Sequence, residues 1–221
     1  MANLWAYGDS FIERYTQRGW LDIVAKHFDL KIRNHGLHGT SLSYTYYQIL
    51  KTYQKFQPND VVIIVLTDIN RAWLHEAQPS VSHITTVESK YTDKKDLDWF
   101  YRYWGYHHNL LAESANLHNF IEALVLKTQH LNIKPIIFYA FDSGQEYYHY
   151  NNKLNHATGY LFDISINEFI GGELDFQKIG VDYRTNHLSE PNHQILATKI
   201  IDSIEQAVPI DLQNGFAKQI I

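Results

Sequence analysis

The 221-residue chain contains no cysteine, which removes disulfides, thiol nucleophiles and thiolate metal sites together. It has no basic block either. Nineteen Lys and Arg stand against twenty-four Asp and Glu, a formal charge of −5, so no phosphate-backbone footprint is offered and no nucleic-acid partner is expected. No apolar run reaches membrane length, so no membrane span is expected. The first strand-like run starts within a few residues of Met1, leaving no room for a signal peptide. The expectation is a cytoplasmic protein, or one released by lysis or assembled into a particle. Repeats, linkers and low-complexity tracts are also missing, which predicts a single domain over 1–221, long enough to bury a proper core. Hydrophobic residues are plentiful at 45% and exclude a disordered chain. Aromatics reach 14%, with sixteen Tyr, enough for a wide binding surface or for a core that uses rings as bulk.

Apolar runs and helical periods alternate along the chain. Asn3–Tyr7 reads as a short buried strand bounded by Gly8. Thr16 is a candidate N-cap for a first helix, whose apolar side is Trp20, Leu21, Ile23, Val24 and Phe28. Leu30–Arg33 reads as a second strand, followed by a loop over 34–41 and a helix marked by Tyr44, Tyr47, Leu50 and Tyr53. Val61–Leu66 is a continuous β-branched run of the parallel, doubly covered kind. Over 72–114 the periodicity breaks down. Asp98–Tyr106 carries six rings with charges between them, read either as an inserted lid or as an aromatic helix packed on the sheet. A helix over Leu117–Leu131, a strand over Pro135–Ala140, a weaker strand over Tyr160–Ile164 and a last helix capped by Ser189 complete the pattern. The alternation predicts an α/β fold in three layers: a five-stranded parallel sheet, helices on both faces, flavodoxin-like, order 2-1-3-4-5. The last dozen residues read as a tail.

The chemistry centres on Gly8-Asp9-Ser10. Gly8 lets the backbone bend sharply and presents Ser10 at the C-terminal end of the first strand, where reacting groups gather in open α/β sheets. A plain turn is the alternative, because all three residues are turn formers. A serine hydroxyl needs a base, a group that orients the base, and donors for the oxyanion. Thirteen histidines are available. His107 and His108 fall in the aromatic segment, and His35 and His38 in the loop after the second strand. No spacing suggests a metal site. His187 lies directly before the final helix, on a loop that returns to the catalytic edge, whereas His193 falls on that helix's packed side.

Tyr7-Gly8-Asp9-Ser10-Phe11 resembles the opening block of the SGNH (GDSL-type) hydrolases, in which this serine is the nucleophile. Asn186-His187-Leu188-Ser189, with Leu196-Ala197 beyond, resembles the family's closing block and implies His187 as the base. In the loop over 34–41 the resemblance puts Gly39 at the oxyanion glycine. After the third strand the family's Gly-x-Asn-Asp is replaced by Thr67-Asp68-Ile69-Asn70-Arg71, with Asn70 the natural oxyanion donor and Asp68 unable to donate when ionised. The family's acid stands three residues before the histidine, but Arg184 occupies that position. Asp182, five before, is the candidate acid, and a backbone carbonyl orienting His187 is the alternative. The resemblance implies an esterase or deacylase of the SGNH fold. It would form an acyl-serine intermediate on a small-molecule or glycan ester, with Ser10, Gly39 and Asn70 at the oxyanion and neither metal nor organic cofactor. The displaced acid and missing glycine leave a rival open: a catalytically impaired carbohydrate- or partner-binding protein on the same scaffold. Acyl transfer to an acceptor other than water is a third reading.

Overall fold

The computed structural model describes residues 1–12, 19–68, 71, 110–133, 135–141, 156–161 and 188–217. Four strands, β1 (Asn3–Gly8), β2 (Lys31–Gly36), β3 (Val61–Leu66) and β4 (Ile136–Tyr139), form a parallel sheet in the order β2-β1-β3-β4. Helices α1 (Trp20–His27), α2 (Leu42–Thr52), α3 (Leu110–Thr128) and α4 (Glu190–Gln206) cover it.

Strand residues alternate between two cores, because successive side chains leave opposite faces of a pleated strand. Leu4, Ala6, Ile63, Val65, Ile136 and Phe138 face α1 and α4, where Trp20, Val24, Leu196 and Ile200 close over them. Trp5, Tyr7, Val62, Ile64, Leu66, Ile137 and Tyr139 face α2 and α3, meeting Leu42, Ile49, Leu117 and Ile121. Both sheet faces are therefore dry, which is why β3 reads as an unbroken apolar run. The predicted three-layer α/β/α architecture is observed.

Polar side chains lock the sheet at specific points. Asp60, buried before β3, accepts from Asn3 N (2.7 Å), Trp5 Nε1 (2.6 Å) and Gln57 N (3.1 Å). Tyr7 Oη lies 2.6 Å from Thr52 Oγ1, whose own proton goes to Gln48 O at 2.7 Å. Tyr7 is thus the donor, and burial pushes its hydroxyl far above the ordinary tyrosine value.

Several boundaries differ from the sequence reading. The first helix starts at Trp20, with Gly19 at its N-cap and no side-chain cap bond; Thr16 lies outside the described residues. His35 is in β2 rather than in a loop, half-buried and stacked on Trp5 (5.8 Å) and Tyr7 (5.1 Å). Among the described residues the main sheet has four strands, not five. The expected fifth at 160–164 is displaced: Tyr160 and Leu161 are not strand residues, and 162–164 lie outside the described residues. A two-residue strand, β5 (Ala157–Thr158), stands earlier and pairs in parallel with β6 (Ile210–Asp211). His156 N donates to Ile137 O (2.7 Å), attaching β5 beside β4 before Gly159 turns the chain at φ +86°. The expected tail therefore contributes β6, with Ile210 and Leu212 buried. The aromatic segment lies outside the described residues apart from the start of α3 at Leu110. No helix among the described residues is long and apolar enough to cross a membrane.

Candidate active site

Ser10 sits immediately past the C-terminal end of β1, in a turn closed by Ile12 N donating to Asp9 O at 3.1 Å. From β1 the chain passes through α1 to β2 on one side, then through α2 to β3 on the other. Ser10 thus stands where the strand order reverses, the position at which open α/β sheets bind ligands. Gly8 makes the turn possible. Its φ is +152°, and a Cβ there would come within 2.6 Å of Val65 O and 2.9 Å of Ile12 Cγ1. Only glycine lets β3 approach this closely.

The end of β2 and the loop after it are bonded to the same turn. Leu37 N donates to Gly8 O at 3.3 Å, and Asn34 Nδ2 donates to Ile12 O at 2.7 Å while its Oδ1 accepts from Gly36 N at 2.7 Å. Gly39 turns this loop with φ +66°. Thr40 Oγ1 closes it on Leu37 O at 2.8 Å, and Ser41 caps α2 by accepting from Tyr44 N. The structure therefore brings Ser10 and the Gly39 loop to one sheet edge. Ser10 is 9% exposed, and no residue among those described hydrogen-bonds its hydroxyl.

No local sequence pattern announces the role of the side chain beside the serine. Asp9 is 0% exposed. Its Oδ1 accepts from Phe11 N (3.1 Å), and its Oδ2 accepts from Thr67 Oγ1 (2.9 Å) and Arg71 Nη1 (2.8 Å). A carboxylate flanked by glycine and serine gives no sequence sign of burial. The one available signal was Thr67 and Arg71, both present in the altered third block.

Asn70, Asp182, Arg184 and His187 lie outside the described residues. Asp68 is buried and its carbonyl accepts from Arg71 N at 3.1 Å. His193 has the structural placement expected of it: its Nδ1 accepts from Trp20 N at 3.4 Å, joining α4 to the start of α1. No group of three or more His, Asp or Glu among the described residues could hold a metal ion.

No protein-family model and no curated protein matches the chain. Among solved structures it is similar to the psychrotrophic esterase EstA from Pseudoalteromonas sp., solved in a form inhibited by monoethylphosphonate. The two share 13% identity over 94% of this chain and 98% of that one, with a TM-score of 0.49. A member of the lipolytic protein G-D-S-L family from Veillonella parvula is also similar, at 13% identity over 91% and 97% of the chains and a TM-score of 0.41. A third, from Desulfitobacterium hafniense and described as a lipolytic protein of the same family, shares 14% identity over 66% and 65%, with a TM-score of 0.33. In structure the chain resembles lipolytic proteins of the GDSL type.

Proposed function

We propose that the protein is a serine hydrolase that cleaves a carboxylic ester through an acyl-serine intermediate. The observation that carries the reading is the placement of Ser10. It follows the first strand on a turn that only Gly8 permits, at the switch in strand order, with the Gly39 loop bonded to the same turn.

In this reading Ser10 Oγ bonds to the ester carbonyl carbon as its proton passes to His187. The carbonyl electron pair moves onto oxygen, where backbone N–H groups of Ser10 and Gly39 and the Asn70 side chain stabilise the oxyanion. Collapse expels the alcohol, which takes the proton from His187, and leaves the acyl-serine. His187 then removes a proton from water, whose oxygen bonds to the acyl carbon, and the second collapse returns the proton to Ser10 and releases the acid. Asp182 orients His187 and stabilises its imidazolium form.

Incubation with a fluorophosphonate, followed by intact-mass and peptide measurements, tests the assignment. One phosphonyl adduct on Ser10 is expected, together with hydrolysis of a small activated ester that falls at least about 10³-fold in Ser10→Ala while the fold persists. An unlabelled protein without esterase turnover would make the scaffold a binding protein. Labelling at another residue would remove Ser10 as the nucleophile.

A further inference from the structure

We infer that Arg71 is a positioning residue for the nucleophile, acting through Asp9; the inference rests on Ser10 being that nucleophile. Arg71 touches the loop that follows each of the four sheet strands. After β1, its Nη1 lies 2.8 Å from Asp9 Oδ2. After β2, the same nitrogen reaches 3.5 Å from Thr40 O. After β3, it donates to Thr67 Oγ1 at 2.7 Å, and Arg71 N donates to Asp68 O. After β4, the guanidinium carbon lies 4.7 Å from the centre of the Phe141 ring, which meets Phe11 edge-on at 5.7 Å. Thr67 closes the ring by giving its own proton to Asp9 at 2.9 Å.

The carboxylate at the centre of this clasp adjoins Ser10 in sequence. Its Oδ1 holds Phe11 N, so the two Asp9 oxygens together set the backbone on both sides of the serine. Asp9 is fully enclosed, and a buried carboxylate is tolerated only when paired and hydrogen-bonded. Arg71 supplies the pairing charge. The Arg71 side chain is itself only 11% exposed, and its Nε is buried with no hydrogen-bond partner among the described residues. A cation so enclosed is spent on Asp9 rather than presented to substrate.

Two consequences follow for catalysis. Without Arg71 the Ser10 turn loses one of its anchors, and a displacement of the order of 1 Å at a nucleophile can cost about 10²-fold in rate. An uncompensated negative charge would also stand beside the place where the oxyanion develops, opposing it in the transition state far more than in the bound ester. Both effects fall on kcat.

A charge-paired set of variants is the test, read with an activated ester and with the fluorophosphonate labelling rate, each checked for fold by circular dichroism. Arg71→Met is expected to lower kcat about 10–100-fold with KM within about twofold of the parent. Arg71→Lys, which keeps the charge but not the fork, should lose about tenfold or less. Asp9→Asn/Arg71→Met removes both charges while the amide oxygen can still hold Phe11 N, and should recover most of the lost kcat and labelling rate. If Arg71→Met fails to fold, recovery of fold and activity in the double variant carries the same support. A double variant as slow as Arg71→Met would make Arg71 a packing clasp only, and a raised KM with unchanged kcat would make it a substrate ligand. Either result overturns the inference while the parent remains active. A parent that neither turns over nor labels removes the hydrolase reading itself.

Discussion

Around Ser10 the decisive interactions are made by single side chains. Two histidines near the start of α4 take different parts in the proposed reading. His193 accepts from the backbone of Trp20 and so joins two helices; His187, outside the described residues, is the base in the proposed reading. His193→Ala should cost about 1 kcal/mol in thermal stability and leave ester turnover nearly intact. His187→Ala should reduce turnover as severely as Ser10→Ala, because nucleophile and base act as a unit and their losses do not add. Steady-state kinetics beside melting curves check both at once, and a larger kinetic loss from His193→Ala would exchange their roles. The sequence made Ser10 legible because glycine, strand end and serine coincide within three residues. It left Asp9 and Arg71 unread, since their pairing joins positions 62 apart and follows no local period. Asp9 looked like turn punctuation, and Arg71 like the end of an altered motif.

Elements proved legible in proportion to their length and burial. β3 is legible with its observed limits because both its faces are buried and every residue before Leu66 is β-branched. The cap of α4 was read because Ser189 accepts from Asn192 N, as an N-cap serine should. β5 and β6 span two residues each, too few for any periodicity to register. The C-terminal segment was equally opaque, because what holds it is a side chain elsewhere. Asn192, 0% exposed on α4, donates from Nδ2 to Ala217 O at 3.1 Å and accepts from Ala217 N at 2.7 Å. Ala217 is thus held by an amide that mimics a strand partner. Asn192→Ala should lower stability by about 2 kcal/mol, since it leaves backbone groups of Ala217 unpaired. It should also open the segment beyond Leu212 to limited proteolysis. Intact-mass analysis of the digest and a denaturant titration check the two effects. Unchanged resistance would mean that Phe216, which packs against the core beside Lys199, holds the segment without Asn192.

At the scale of the whole molecule, two histidines built into the sheet link stability to pH. His35 is stacked on the rings of Trp5 and Tyr7, and burial pulls its pKa below the ordinary value of 6.5, helped by the positive charges of Lys55 and Arg33. His156 lies at the junction of β4 and β5, with Nδ1 3.0 Å from Ile137 N, and burial again lowers its pKa. In both cases the folded protein resists a proton that the unfolded chain accepts. As pH falls below 6.5 the unfolded chain therefore binds more protons, and stability declines until the folded-state values are passed. Asp211 acts in a lower range. Bonds from Gln213 N and the Asn214 side chain hold its carboxyl below the ordinary 3.8, so its contribution is lost only in stronger acid. The melting temperature should accordingly drop between about pH 7.5 and about pH 5.5, by roughly 2–4 °C for each kcal/mol lost. His35→Phe keeps the ring stack, and His156→Asn keeps an acceptor for Ile137 N. The variant carrying both should lose most of this slope while its melting temperature at the upper pH stays near that of the parent. A slope as steep as the parent's would place the proton uptake on other groups, and the surface histidines would be the next to replace.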